Sequence, residues 1–309
     1  MKKKFFASLA PILLFTYNRL HHLKKTINSL KKNKLYEFSD LIIFSDGARS
    51  KSELKKIKEV RNFIKKIKGF KSLKIYNRNK NYGLSKNVIN GVTKVLKLHK
   101  TVIVLEDDLV LDKFFLDYMN QALKLFKSNR SIASIHGYIY PIRFDKKIPE
   151  YFLIKGADCW GWATWRRAWK KFDSNGDRLK KIIDKQKNKS EFNFNNSFNY
   201  YKMLINQING KNNSWAIRWY ASAFVNNMFT LYPAKTFVKN IGADGTGTHG
   251  GGNRNVNNEN IYRKKFSSLK KNKISTSENL DAKKKIENYF NNKTDFSIKK
   301  IIKKIIRWK

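Results

Sequence analysis

Three consecutive carboxylates, Glu106-Asp107-Asp108, close an apolar run in TVIVLEDDLVL. Four β-type apolar residues deliver them to a strand end, where three adjacent anions would be costly to bury without a cation or hydrogen bonds. Carboxylate oxygens, a substrate diphosphate and waters together make an octahedral Mg2+ or Mn2+ site. A cation held there neutralises charge on a departing diphosphate. The competing reading is an acidic helix start, since aspartates favour the amino end of the helix expected in DKFFLDYM. The place of the triplet, after the fourth strand in an alternating series, favours chemistry.

Those strands and their helices must position the triplet. Apolar runs alternate with helical patterns: PILLFTY precedes a helix reaching about Leu30, LIIFSD precedes SELKKIKEVRNFIKKI, and LKIYNR precedes LSKNVINGVTKVLKL before TVIVLEDD. The alternation predicts a mostly parallel sheet flanked by helices. Thr16, Asn18 and Arg19, then Ser45 and Asp46, then Arg78 and Asn79 stand where the earlier runs end. Open α/β sheets place ligands at those carboxyl ends. A helix from Asp112 to Phe126 follows, then SIASIHGYIYP as a strand, and YFLIKGADCWGWATWRRAWKKF as strand, loop and helix. Spaced apolar residues predict helices between Ser174 and Lys211, a region assigned to the acceptor side. NSWAIRWYASAFVNNMF reads as a buried helix, and FTLYPAKTFVKNIG as extended chain turning at Pro233. The expected division is one catalytic domain over 1-252 and a basic tail over 253-309. The tail ends in SIKKIIKKIIRWK, whose isoleucines recur at helical spacing.

From about Pro11 to Gly252 the chain resembles the GT-A glycosyltransferases, specifically the inverting N-acetylglucosaminyltransferase I type with a Glu-Asp-Asp form of the Asp-X-Asp motif. The likeness is carried by LEDDLVLDKFFLDYM, FTYNR, FSDGAR and YGLSKNVINGV. It implies a nucleotide-sugar donor, with Asp108 on the cation and Glu106 and Asp107 on the donor's sugar and ribose. It also implies that Thr16 and Arg19 line the base or phosphate and that Asp46 faces the base or ribose. Plainer roles compete: Asn18 as a helix N-cap, and Asp46 as a turn residue beside Gly47. Ser85 and Asn87 stand at a helix start that binds donor phosphate through free N–H groups or is simply capped.

Two further segments gain roles from the resemblance. GADGTGTHGGG, from Gly242 to Gly252, holds six glycines and suits a mobile loop rather than a packed element. The family closes a comparable loop over the diphosphate, with Thr248 and His249 at the matching positions and His249 a second metal candidate. Among the tryptophans of GADCWGWATWRRAW, Trp160 and Trp162 flank Gly161 as acceptor-binding candidates. The helical spacing of Trp162, Trp165 and Trp169 assigns some of these rings to the core. An inverting enzyme needs a base for the acceptor hydroxyl. The family's Trp-Asp-Asp-Trp segment corresponds here to Trp215-Ala216-Ile217-Arg218-Trp219, which has no acid. Asp158 is the first substitute and Asp244 the second, and the loss leaves room for a retaining mechanism.

Composition bounds the partners. Lys and Arg total 66 against 23 Asp and Glu, a formal net charge of +43, which implies a polyanionic partner. The single cysteine, Cys159, excludes an intrachain disulfide and a multi-cysteine zinc site. Met1-Lys2-Lys3-Lys4 and the following apolar run superficially read as a signal peptide. ILLFTYNR instead continues straight into amphipathic NRLHHLKKTINSL, as a buried first strand feeding a helix. The expected location is cytoplasmic, at the inner face of an anionic membrane, with a glycan or lipid-linked acceptor. Nucleic acid is not expected, because the basic residues gather in no recognised motif. A sugar nucleotidyltransferase is the nearer rival, but FTYNRLHHL lacks the glycine-rich loop usual after the first strand of such enzymes.

Overall fold

The computed structural model describes residues 9–245 and 265–292. Thr248, His249 and the terminal SIKKIIKKIIRWK lie outside those residues. The first half alternates as the sequence predicts: β1 (Ile12–Thr16), α1 (Leu20–Lys31), β2 (Asp40–Ser45), α2 (Leu54–Lys65), β3 (Ser72–Asn77), α3 (Gly83–Leu98) and β4 (Thr101–Glu106). Each helix has a narrow apolar stripe, Leu23, Ile27 and Leu30 in α1 and Ile57, Val60 and Ile64 in α2, at the spacing that faces one side of a helix. The lysines between them face water. β1 is buried along its whole length.

After the triplet come β5 (Leu109–Leu111), α4 (Phe115–Leu125), β6 (Ile132–His136), β7 (Tyr151–Lys155) and β8 (Trp162–Trp165). Four helices follow: the short α5 (Arg166–Trp169), α6 (Gly176–Lys185), the short α7 (Lys189–Phe192) and α8 (Tyr200–Ile208). α9 (Trp215–Val225), β9 (Phe229–Pro233) and β10 (Val238–Asn240) complete the series, and residues 280–292 form α10.

Eight strands make one sheet in the order β3-β2-β1-β4-β8-β6-β9-β7. β1 to β4 pair in parallel, so that Thr16, Ser45, Asn77 and Glu106 share one edge. β8 runs antiparallel to both β4 and β6, which restores the direction of β6 and, through a parallel pairing, of β9. The carboxyl end of β6 and the amino end of β8 therefore meet the triplet at the same edge. Travel through the sheet reverses between β3 and β4, the kind of switch point where open α/β sheets bind ligands.

Two apolar cores support this edge. One surrounds β1, β2, β4, β6 and β8. The other joins α6, α7, α8 and α9 to α10, where Ala282, Ile286 and Phe290 are buried. That part of the expected tail packs on the fold, and Lys155 N donates to Glu278 just before it (2.7 Å). No helix among the described residues is long and apolar enough to cross a membrane.

Candidate active site

Asp107 and Asp108 have different surroundings although they are adjacent. Asp107 Oδ2 accepts from the Thr16 hydroxyl (3.0 Å) and the Tyr17 amide (3.1 Å), and its Oδ1 meets Arg19 Nη2 at 2.9 Å. Thr26 donates to its carbonyl oxygen. Asp107 thus ties the β1 end and α1 to the β4 end. Asp108 Oδ2 meets the same Arg19 nitrogen at 2.7 Å, while its Oδ1 is buried with no hydrogen-bond partner. The next layer is backbone: Ile241 N donates to the Asp108 carbonyl, and a Cβ on Gly242 would strike the Asp108 carboxylate. β10 brings Gly242 there by pairing with β5.

The electrostatics follow from crowding. Desolvation, then the charges of Asp108 and Asp107, push the Glu106 carboxyl up to about 8 against a smaller opposing effect of Arg19. Burial also raises Asp107 despite Arg19 and its amide and hydroxyl donors. Burial alone would lower Arg19, but the two aspartates outweigh it and its pKa is raised. Among the described residues no three His, Cys, Asp or Glu side chains converge as a metal cage. A hard divalent ion that takes one or two carboxylate oxygens and completes its octahedron with phosphate and water needs no cage. The unpartnered Asp108 Oδ1, a hard carboxylate oxygen next to Glu106 and Asp107, fits Mg2+ or Mn2+, with Arg19 held on the other oxygen.

The donor-side residues at the strand ends are variously committed. Asp46 accepts from Gly47 N (2.9 Å), Tyr82 N (2.8 Å) and Gly83 N (2.9 Å), and so caps α3 from a distance. Ser85 and Asn87 are buried and accept from Arg218 (2.6 Å) and Arg78 (3.1 Å). They hold arginines in place, and neither caps the helix nor lies open at its start. Asn18 does not cap α1; it donates to Glu53, which also accepts from the Tyr17 hydroxyl. Arg49 lies over the Tyr17 ring.

On the acceptor side the sequence reading needs one correction. Trp162 is 1% exposed and packs among Trp169, Trp215 and Trp219. It begins β8, opposite Val104 and His136, rather than standing in the loop. The WATW segment is a strand because both neighbours offer it a hydrogen-bonding edge, so the helical spacing of its tryptophans is coincidental. Trp160 does lie in the loop, half-buried and edge-on to Tyr138. Asp158 is in the same loop, with Oδ1 accepting from Cys159 N (2.7 Å) and Oδ2 facing the hydroxyls of Tyr232 (3.2 Å) and Tyr140 (3.5 Å). Burial, then the charges of Asp158, Glu106 and Asp108, hold the Cys159 thiol well above its usual range, which puts this loop beside the triplet. Asp244 is more exposed and pairs with His22 Nε2 at 3.0 Å, two residues beyond Gly242.

His136, Tyr17, Glu53 and Gly242 were not singled out from sequence. His136 ends the apolar run IASIH, and the strand-end rule that selected Thr16 and Asp46 would have selected it too. Gly242 carried no signal of its own, because its contact with Asp108 depends on the β5–β10 pairing.

An α/β sheet with carboxylates at its switch point, facing an aromatic loop, is the arrangement in which open α/β folds place a ligand site. A profile described as Glycosyl transferase family 2 matches residues 12–188. This is more than half of the chain, which belongs to that family. No curated protein matches it significantly. Solved structures with partial likeness include S. aureus TarS 1-349, at 15% identity over 55% of this chain and 53% of that one, TM-score 0.35. A cytidylyltransferase from Leptospira borgpetersenii shares 13% identity over 54% and 64%, TM-score 0.31. The mannosyltransferase PcManGT from Pyrobaculum calidifontis, in complex with GDP-Man and Mn2+, shares 9% identity over 45% and 41%, TM-score 0.29. The match spans less than two thirds of each of these proteins.

Proposed function

We propose that the chain is a glycosyltransferase that moves a sugar from a nucleotide-sugar donor, with a UDP-sugar as the leading case, to a glycan or lipid-linked acceptor in cell-surface polysaccharide synthesis. Asp108 would hold Mn2+ or Mg2+ at the donor diphosphate. The observation that carries this reading is the divided Asp108 carboxylate, Oδ2 fixed by Arg19 against Gly242 and Oδ1 buried and free. The cation, when bound, neutralises the departing diphosphate. Arg19 holds both aspartates in register, and Glu106 and Asp107 bound the sugar and ribose subsite. The half-buried Trp160 ring offers a face to the acceptor.

In this reading Asp158 receives the acceptor hydroxyl's proton. The hydroxyl oxygen then bonds to the anomeric carbon, and the bond from that carbon to the diphosphate oxygen breaks with its electron pair leaving on the nucleoside diphosphate. Attack opposite the leaving group inverts the sugar. The excess of basic residues suits an anionic membrane surface as the place where a lipid-linked acceptor is met. A screen of nucleotide sugars for Mn2+-dependent hydrolysis, repeated with Asp108→Ala, tests the core of the assignment. Full activity in Asp108→Ala, or undiminished activity in excess chelator, would remove the metal from it.

A further inference from the structure

His136 is a fully buried ionisable group beside the site, at 0% exposure, outside the donor and acceptor roles assigned so far. Its Nε2 accepts from the backbone N–H of Trp160 at 3.1 Å. A ring nitrogen that accepts carries no proton, so in the neutral ring the proton is on Nδ1. Burial lowers the pKa of His136, with Asp158 opposing, and so favours that neutral ring. Nδ1 has no hydrogen-bond partner, and it lies 3.7 Å from Asp158 Oδ2. An unpartnered buried donor is costly, and the carboxylate is the acceptor in front of it. Contacts of this length at catalytic groups tighten when substrate binds.

We propose that His136 is a positioning residue: its Nδ1–H steers Asp158 Oδ2 while its Nε2 anchors the Trp160 backbone, coupling proton acceptor and acceptor platform through one ring. The inference rests on the reading of Asp158 as the group that takes the acceptor proton. The ring itself is held by β6, where the His136 carbonyl accepts from the Tyr118 hydroxyl. Rotation would break the bond to Trp160, so the steering is built into the sheet. Its use is to aim one carboxylate oxygen at the acceptor while Cys159 N holds the other.

Asp158 is also faced by Tyr140, by Tyr232 from β9, by Tyr200 from α8 and by Cys159, with Glu106 beyond. Burial raises Tyr140, Tyr232, Tyr200 and Cys159 above their usual ranges, so they stay neutral while a carboxylate titrates.

Two isosteres separate the functions of the ring. In His136→Asn the amide nitrogen occupies the Nδ1 position and keeps a donor toward Asp158. In His136→Gln the amide oxygen reaches the Nε2 position and keeps the acceptor for Trp160, but the donor is lost. Nitrogen-15 histidine spectra of the wild type, assigned by the signal lost in His136→Asn, should show the neutral Nδ1–H tautomer throughout about pH 5 to 8. Turnover of a UDP-sugar panel with Mn2+ should fall roughly 10- to 100-fold in His136→Gln, with the asparagine variant partly rescued. An Nε2–H tautomer, an ordinary histidine titration, or an equal loss of turnover in both variants would overturn the positioning role. Asp158→Asn run in parallel separates the premise: full transfer by that variant removes Asp158 as the base, and the inference with it.

Discussion

Asp107 and Asp108 should respond in opposite ways to truncation. Asp107→Ala leaves the Thr16 hydroxyl and the Tyr17 amide without their shared acceptor, each loss costing about 1 to 3 kcal/mol in a buried setting. Arg19 keeps Asp108 as a partner, and removal of one buried charge returns part of the loss. The net expectation is a loss of about 3 kcal/mol, or roughly 6 to 12 °C in Tm for a domain of this size. Asp108→Ala removes an oxygen that had no partner and an Arg19 contact that Asp107 backs up, so its Tm should stay within roughly 2 to 4 °C of wild type. Thermal melts in chelator would compare the two. Repeated with UDP and Mn2+, they should rise for the wild type and not for Asp108→Ala, because a ligand stabilises only the state that binds it. Asp108→Ala melting as far below wild type as Asp107→Ala, or gaining as much from Mn2+ and UDP as the wild type, would refute this division of labour.

Glu106 is raised above an unfolded carboxyl, so the folded state holds the extra proton and its contribution to stability is lost as pH climbs toward about 8. In chelator the wild-type Tm should fall over that range, and in Glu106→Gln the slope should flatten; parallel slopes would reject the shift. Gly242→Ala places a methyl group on the Asp108 carboxylate and should lower kcat/KM of donor hydrolysis by roughly 100-fold with a near-wild-type circular dichroism spectrum. Trp162→Ala should cost about 3 to 5 kcal/mol by urea unfolding, as expected for an aromatic core cavity. Trp160→Ala should instead leave the urea midpoint nearly unchanged and raise the acceptor KM. A similar stability loss in both would return Trp160 to the core.

The first four strands were legible because each couples an apolar run, buried in β1, β2 and β4 and half-buried at the sheet edge in β3, to a helix with a clean apolar stripe, and the polar residues at their ends follow from parallel geometry alone. The triplet was legible for the same reason. β8 was not, because WATWRRAW has tryptophans at helical spacing and nothing local says that β4 and β6 leave an open slot for a strand. Trp162 was misplaced for that reason. Ser85 and Asn87 read as helix-start donors, whereas the cap comes from Asp46 and both side chains are taken by arginines, Arg218 lying more than 130 positions away. Partnerships across such separations are set by tertiary packing, which one sequence does not display.

The pairing of β5 with β10 also has a consequence for the order in which the protein is made. The acids at 106–108 leave the ribosome roughly 130 residues before the strand that brings Gly242 against them, an interval on the order of 10 s at ordinary elongation rates. Until then the nascent chain can form β1 to β4 and the Asp107 clasp, while Asp108 lacks the backbone layer that covers it. Competence to bind donor should therefore arise late in synthesis, as a step separate from formation of the first half of the sheet.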